Sequence, residues 1–93
     1  MRYVFIGKHD PSWMDRPIER RDRSRAILKK LGIKHVLGTY VQGPFDFVDI
    51  VDAPNPEAML AFSVWYRKEG LGTIDAMPAL SYDQMVDALG RLE

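Results

Sequence analysis

Histidine is the side chain whose ordinary pKa lies closest to neutrality, and the chain has two, His9 and His35. His9 closes the segment RYVFIGKH and opens the loop HDPSWMDRP. A histidine at a strand end suits an acid, a base or a ligand contact. Asp10 and Asp15 follow closely, but this set is sparse. Neither H-x-x-H nor H-E-x-x-H spacing occurs, so no metal centre is expected. The absence of cysteine rules out thiolate ligands, a cysteine nucleophile and a disulfide framework. There is no phosphate loop or dinucleotide fingerprint, and no resident cofactor is expected.

The second chemical feature is VQGPFDFVDIVDAP, Val41 to Pro54, where Asp46, Asp49 and Asp52 recur at every third residue. Asp46 lies beside the Gly43–Pro44 turn and Asp52 at the far end, so both read as turn and terminus carboxylates. Asp49 is mid-strand. Alternation puts it with Phe45, Phe47 and Val51, and puts Val48 and Ile50 on the other face. The Val48/Ile50 face is expected to lie under the helices, which leaves Asp49 on a bare face at a subunit interface. Asp75 has the same character in TIDAMP. The two carboxylates are expected about 10 Å apart, two strand spacings. An ionised carboxylate there needs a partner; Arg2, Lys34 and His35 of this or a second subunit are the candidates. An interface lock, an exposed sheet edge and a proton-handling pocket are the three readings.

Aromatic residues complete the candidate set. Trp13 sits in a proline-bounded loop, where it can lid a pocket or anchor the loop. Tyr40 ends a strand, and Trp65 lies within an apolar helix. His9, Trp13, Tyr40 and Trp65 are the expected ligand contacts.

These side chains need a scaffold. Arg2–Lys8 reads as a strand. Asp15 is the expected N-cap of a helix that has Pro17 in its first turn and stops at Gly32. Ile33–Gln42 and Phe45–Asp52 are strands joined by a tight turn, hence an antiparallel hairpin. Asn55 caps a second helix with Pro56 at N1 and Gly70 after its end. From Ala58 to Tyr66 only Ser63 is polar, so more than one face of this helix should be buried. Leu71–Ala79 is a fourth strand. Ser81 and Gln84 match a capping box opening a terminal helix striped by Met85, Leu89 and Leu92. The order β-α-β-β-α-β plus a helix is the ferredoxin-like α+β pattern. Right-handed crossovers give a four-stranded antiparallel sheet ordered 4-1-3-2. Both main helices then cover one face, and a homodimer packed sheet on sheet would cover the other.

The sequence further resembles the GYD domain family. Gly43, Phe45 and Asp46 stand where that family carries Gly-x-Tyr/Phe-Asp. VDIVDAPNPEA and GLGTIDAMPALSYDQM resemble its following strand, helix start, fourth strand and final helix. The likeness spans nearly the whole chain and is weakest at residues 9–25. Phe45 replaces the usual tyrosine, so any role of that hydroxyl is lost. The resemblance implies a dimeric α+β barrel, a group holding small oxygenases, isomerases, dehydratases and ligand-binding domains, often with a pocket between helices and sheet. Fold likeness does not choose among these.

Bulk properties bound the rest. Ninety-three residues make one domain, 1–93. A content of 46% hydrophobic and 28% charged residues is that of an ordinary soluble domain. No apolar run reaches the ~20 residues of a membrane span, and MRYVFIGKHD is too short in apolar residues for a signal peptide; a cytoplasmic location is expected. Residues 1–42 carry ten Lys/Arg against four Asp/Glu, and residues 43–93 carry three against nine. Opposite halves of this kind can pair within a fold or across subunits. Glu19 and Asp22 interrupt the basic stretch RPIERRDRSRAILKK, arguing for intrahelical pairs such as Glu19–Arg23 over a nucleic-acid surface. The expected function is small-organic-ligand binding or an accessory role. The alternatives are a cofactor-free oxygenase, isomerase or dehydratase, and a structural subunit.

Overall fold

The computed structural model describes all 93 residues. Four strands, β1 (Arg2–His9), β2 (Lys34–Tyr40), β3 (Phe47–Asp52) and β4 (Gly72–Pro78), form one antiparallel sheet ordered β2-β3-β1-β4. This is the expected 4-1-3-2 order read from the other edge. Helices α1 (Pro17–Lys30) and α2 (Pro56–Lys68) cover one face, and α3 (Tyr82–Gly90) follows β4. No helix is long and apolar enough to cross a membrane.

Local signals explain most boundaries. Asn55 Oδ1 accepts from the Ala58 amide at 2.8 Å, and Pro56 begins α2. Gly32 and Gly70 follow α1 and α2 with φ of +73° and +71°, a conformation that glycine reaches without a Cβ clash. The Ser81–Gln84 capping box makes both of its bonds. The start of α1 differs from expectation. Its N-cap is Arg16, which makes no side-chain cap bond, because Pro11–Trp13 forms a 3₁₀ turn of its own, capped by Asp10. The expected Glu19–Arg23 pair is also absent: Arg23 reaches across to Glu69, the residue that caps the end of α2, and Glu19 faces Arg16.

The core lies between the sheet and α1/α2. Tyr3, Phe5, Phe47, Val51 and Ile74 supply the sheet side; Leu28, Ala58, Met59, Phe62 and Tyr66 supply the helix side. The inward face of β3 is therefore Phe47–Asp49–Val51, the reverse of the face expected from sequence. Register explains it. Gly7 pairs with Phe47, and a Cβ on Gly7 would overlap the Phe47 ring. The ring lies across β1 at the one place that lacks a side chain. Val4, Ile6, Val48 and Ile50 take the bare face. Asp49 and Asp75 consequently lie on opposite faces, because Asp75 pairs with Ile6 and Asp49 with Phe5. They form no interface pair. Arg2 is engaged with Asp52 instead, through Nε at 2.9 Å.

Besides the bare sheet face, two helical apolar surfaces remain uncovered. On α2, Leu60 and Val64 are exposed, and α3 has no buried residue although Met85, Val86 and Leu89 line one side of it.

Candidate functional site

Between α1, α2 and the β2–β3 half of the sheet lies a cavity of about 270 Å³. Phe5, Phe47 and Phe62 form its apolar wall; His9, Arg20, His35, Tyr40, Asp49 and Tyr66 bring polar atoms to it.

His9 arrives at the end of β1. Its backbone N–H donates to Asp46 Oδ2 at 2.8 Å, and the Asp46 N–H donates to the Gly7 carbonyl at 2.8 Å. Asp46 thus ties the hairpin loop to the end of β1. The His9 ring stacks on Phe47 with centroids 4.7 Å apart. Burial lowers its pKa, and the nearby Arg20 charge lowers it further, against the opposing pull of Asp46. His9 is accordingly neutral at pH 7, a state that can accept or relay a proton.

The second group is a His–Asp pair. His35 Nε2 lies 2.7 Å from Asp49 Oδ2, although the residues belong to different strands. Two backbone features allow this. A register shift between His35 and Leu37 makes room for Val36, and such an irregularity re-aims a side chain. Gly38 sits opposite Asp49, and a Cβ there would come 2.8 Å from both Asp49 Oδ2 and His35 Nε2. The strand glycine clears the space in which the pair forms. With Asp49 ionised, Nε2–H donates to the carboxylate and Nδ1 is left as an acceptor. This is how a carboxylate orients a histidine for proton transfer.

Burial raises the Asp49 pKa, and the His35 hydrogen bond only partly offsets the rise. A carboxyl whose folded pKa exceeds its unfolded one binds more protons in the native state. Its ionisation therefore weakens folding as pH climbs from about 4 through the raised value. Asp49→Asn should remove this loss. Thermal melts against pH are expected to decline less for the variant than for wild type across that window, with no deficit at neutral pH. A variant that falls more steeply contradicts the assignment. Burial also holds the Tyr66 phenol up at about 12, so it is a neutral donor at any physiological pH.

Arg20 is the third group. It is the one charged residue in the interior, 5% exposed. Nη1 donates to the Trp13 carbonyl at 2.8 Å and Nη2 to the Tyr40 hydroxyl at 3.5 Å.

Of the expected ligand contacts, His9 and Tyr40 line the cavity. Trp13 does not: its ring is buried as a loop anchor under the Arg16 guanidinium, 3.9 Å from the centroid. Trp65 stacks on Phe62, with centroids 5.8 Å apart, outside the cavity. Asp49 enters the cavity with His35, while Asp75 is on the far face of the sheet. Arg20, Gly38 and Tyr66 were not expected here. The glycine inside KHVLGTY was the one local signal, since a strand interior gains nothing from it. No three His, Asp or Glu side chains gather closely enough to hold a metal ion.

The GYD domain model matches residues 3–89. The chain belongs to the GYD domain family. The Gly-x-Phe-Asp signature of this GYD domain ends in Asp46, the residue that ties the hairpin loop to β1. No curated protein matches the chain. Among solved structures, the domain is similar to 5-chloro-2-hydroxyhydroquinone dehydrochlorinase (TftG) from Burkholderia phenoliruptrix AC1100, in complex with 2,5-dihydroxybenzoquinone. The likeness covers 90% of this chain and 98% of that chain with a TM-score of 0.61 at 17% identity. At that identity it speaks for the fold alone.

Proposed function

We propose that this GYD domain binds a small oxygenated aromatic compound in the cavity between its helices and sheet, as a homodimer packed through the bare sheet face. The convergence of His9, Arg20 and the His35–Asp49 pair on a cavity walled by three phenylalanines carries the reading. Flat apolar walls favour a planar ring, and a few fixed polar groups orient it. The similarity to a protein whose structure holds a quinone is in keeping with this. The exposed Leu37 and Met77 beside Val4, Ile6, Val48 and Ile50 support the sheet-face dimer, since apolar sheet surface of this extent favours a partner.

A second reading, cofactor-free proton transfer as in an isomerase or dehydratase, rests on the 2.7 Å His35–Asp49 contact. An imidazole oriented by a carboxylate next to a bound ring is the arrangement that general base catalysis requires.

Native mass spectrometry of the purified protein, alone and with 2,5-dihydroxybenzoquinone, tests both parts. A species of twice the 10.7 kDa chain mass that carries one small molecule per chain is expected. A monomer at micromolar concentration overturns the sheet-face dimer. A protein that neither arrives with a small molecule nor takes up the quinone overturns the ligand reading.

A further inference from the structure

We propose that Arg20 is an anion receptor and that the ligand of this cavity carries a carboxylate, or an ionised phenol or enol oxygen, seated on its guanidinium. The inference rests on the cavity being a small-molecule site, as argued above, and adds the charge and orientation of what enters it.

A buried cation needs a counter-charge, because removing it from water costs several kcal/mol. Arg20 has none within the chain. It belongs to none of the six ion pairs of the molecule. Its two hydrogen bonds go to a neutral carbonyl and a neutral hydroxyl, the second at the long limit of 3.5 Å. Nε makes no protein hydrogen bond, yet no buried polar atom of the molecule is left without a partner. The Nε donor of the guanidinium is therefore not sealed in and opens to space. That space is the cavity, which Arg20 lines. A second hollow, of about 290 Å³, meets the first at Arg20, His9 and Tyr40. A guanidinium with free donors in a part-dry site is the best side chain for a carboxylate or phenolate, through paired N–H···O bonds. Arg21 and Arg25 also line the cavity, and their charge draws an anion in.

The carboxylates nearby do not compete. Asp46 is bound to the His9 amide, and Asp49 to His35. Tyr40 pairs with Phe47, and Gly38 with Asp49. The Arg20–Tyr40 end and the Asp49 end of the cavity are thus two residues apart along the hairpin, roughly 7 Å. A benzene ring with oxygen substituents at both ends matches that span. The anionic oxygen belongs at Arg20 and a protonated group at the Asp49–His35 end, where a second anion would meet the carboxylate.

The test compares 4-hydroxybenzoate with 4-hydroxybenzamide, which are alike in shape and differ in charge, by calorimetric titration of the full chain. The benzoate is expected to bind at least tenfold more tightly. Arg20→Gln should lose that preference, and Arg20→Lys should keep part of it. A spectroscopic readout does not depend on the variants folding. His9 is faced by Arg20 from α1, Asp46 from the hairpin loop and Tyr40 from β2, and the Arg20 charge helps keep it neutral. The benzoate should cancel that charge and move the His9 NMR titration to higher pH in the wild-type protein. Equal binding of the two probes overturns the anion receptor and leaves the aromatic cavity standing. A preference that survives in Arg20→Gln also overturns it. Failure of both probes and of the quinone overturns cavity and receptor together.

Discussion

Gly72→Ala is expected to cost more than about 3 kcal/mol, a fall of roughly 12 °C or more in the thermal midpoint of a domain this size. Gly72 opens β4 with φ of +153° and pairs with His9 of β1. A Cβ there would run into the Lys8 carbonyl oxygen and come within 3.1 Å of the His9 Cα. The obstacle is backbone in a central strand, which cannot step aside as a side chain can. Relief requires the β1–β4 ladder to open at the point where Leu71 accepts from the Asp10 amide. The whole domain has on the order of 5–15 kcal/mol to lose. The damage also reaches the site, because His9 is held between this contact and Asp46. Differential scanning calorimetry against Gly90→Ala provides the control: a Cβ on Gly90 meets nothing within 4 Å, and that variant should melt within a few degrees of wild type. A Gly72→Ala protein with an unchanged midpoint would falsify the backbone contact.

Phe62→Ala should cost about 3–5 kcal/mol in urea or guanidinium unfolding. Phe62 is 2% exposed, and its ring lies 5.9 Å from Phe5, 5.8 Å from Trp65 and 6.0 Å from Tyr66, between centroids. It joins the aromatic cluster of α2 to the central strand. Removing it takes away a large buried ring and leaves space that its rigid neighbours cannot close. It is also one wall of the cavity, so the variant should bind aromatic probes more weakly even below its unfolding temperature. Phe62→Leu keeps most of the volume and should lose less than half as much stability. A loss under about 1 kcal/mol for Phe62→Ala would show that the α2–sheet contact is carried elsewhere.

What was legible in the residues was mostly local. Asn55–Pro56, Gly32, Gly70 and the Ser81–Gln84 box mark helix ends because each satisfies a backbone group within a few residues. The alternation of β-branched and aromatic residues marked the strands, and the order of elements restricted the sheet to one arrangement. Family membership was legible as well, through Gly43, Phe45 and Asp46. Where that reading failed near α1, a neighbouring turn or side chain took the role. Asp15 is not a cap because the 3₁₀ turn ending at Trp13 redirects the chain. Trp13 is not a lid because Arg16 covers its ring.

The cavity followed the same division. His9 and Tyr40 were reachable from strand-end positions, and Asp49 was visible as an anomaly. Alternation says which residues share a face of β3 and is silent about which face turns inward. Only the register against β1, where Gly7 admits the Phe47 ring, turned Phe47, Asp49 and Val51 toward the helices. That choice took Asp49 away from Asp75 and gave it to His35 across Gly38. Arg20 lay in a basic stretch with nothing local to separate it from Arg21 or Arg23. Its burial comes from the rotation of α1 over Trp13 and Tyr40. By itself the sequence determined the elements, their order and the family, because capping, alternation and turn chemistry act over a few residues. The tertiary structure decided which face of the sheet is wet, what meets Asp49 and which arginine is inside, because each depends on at least one group more than ten residues away in the chain.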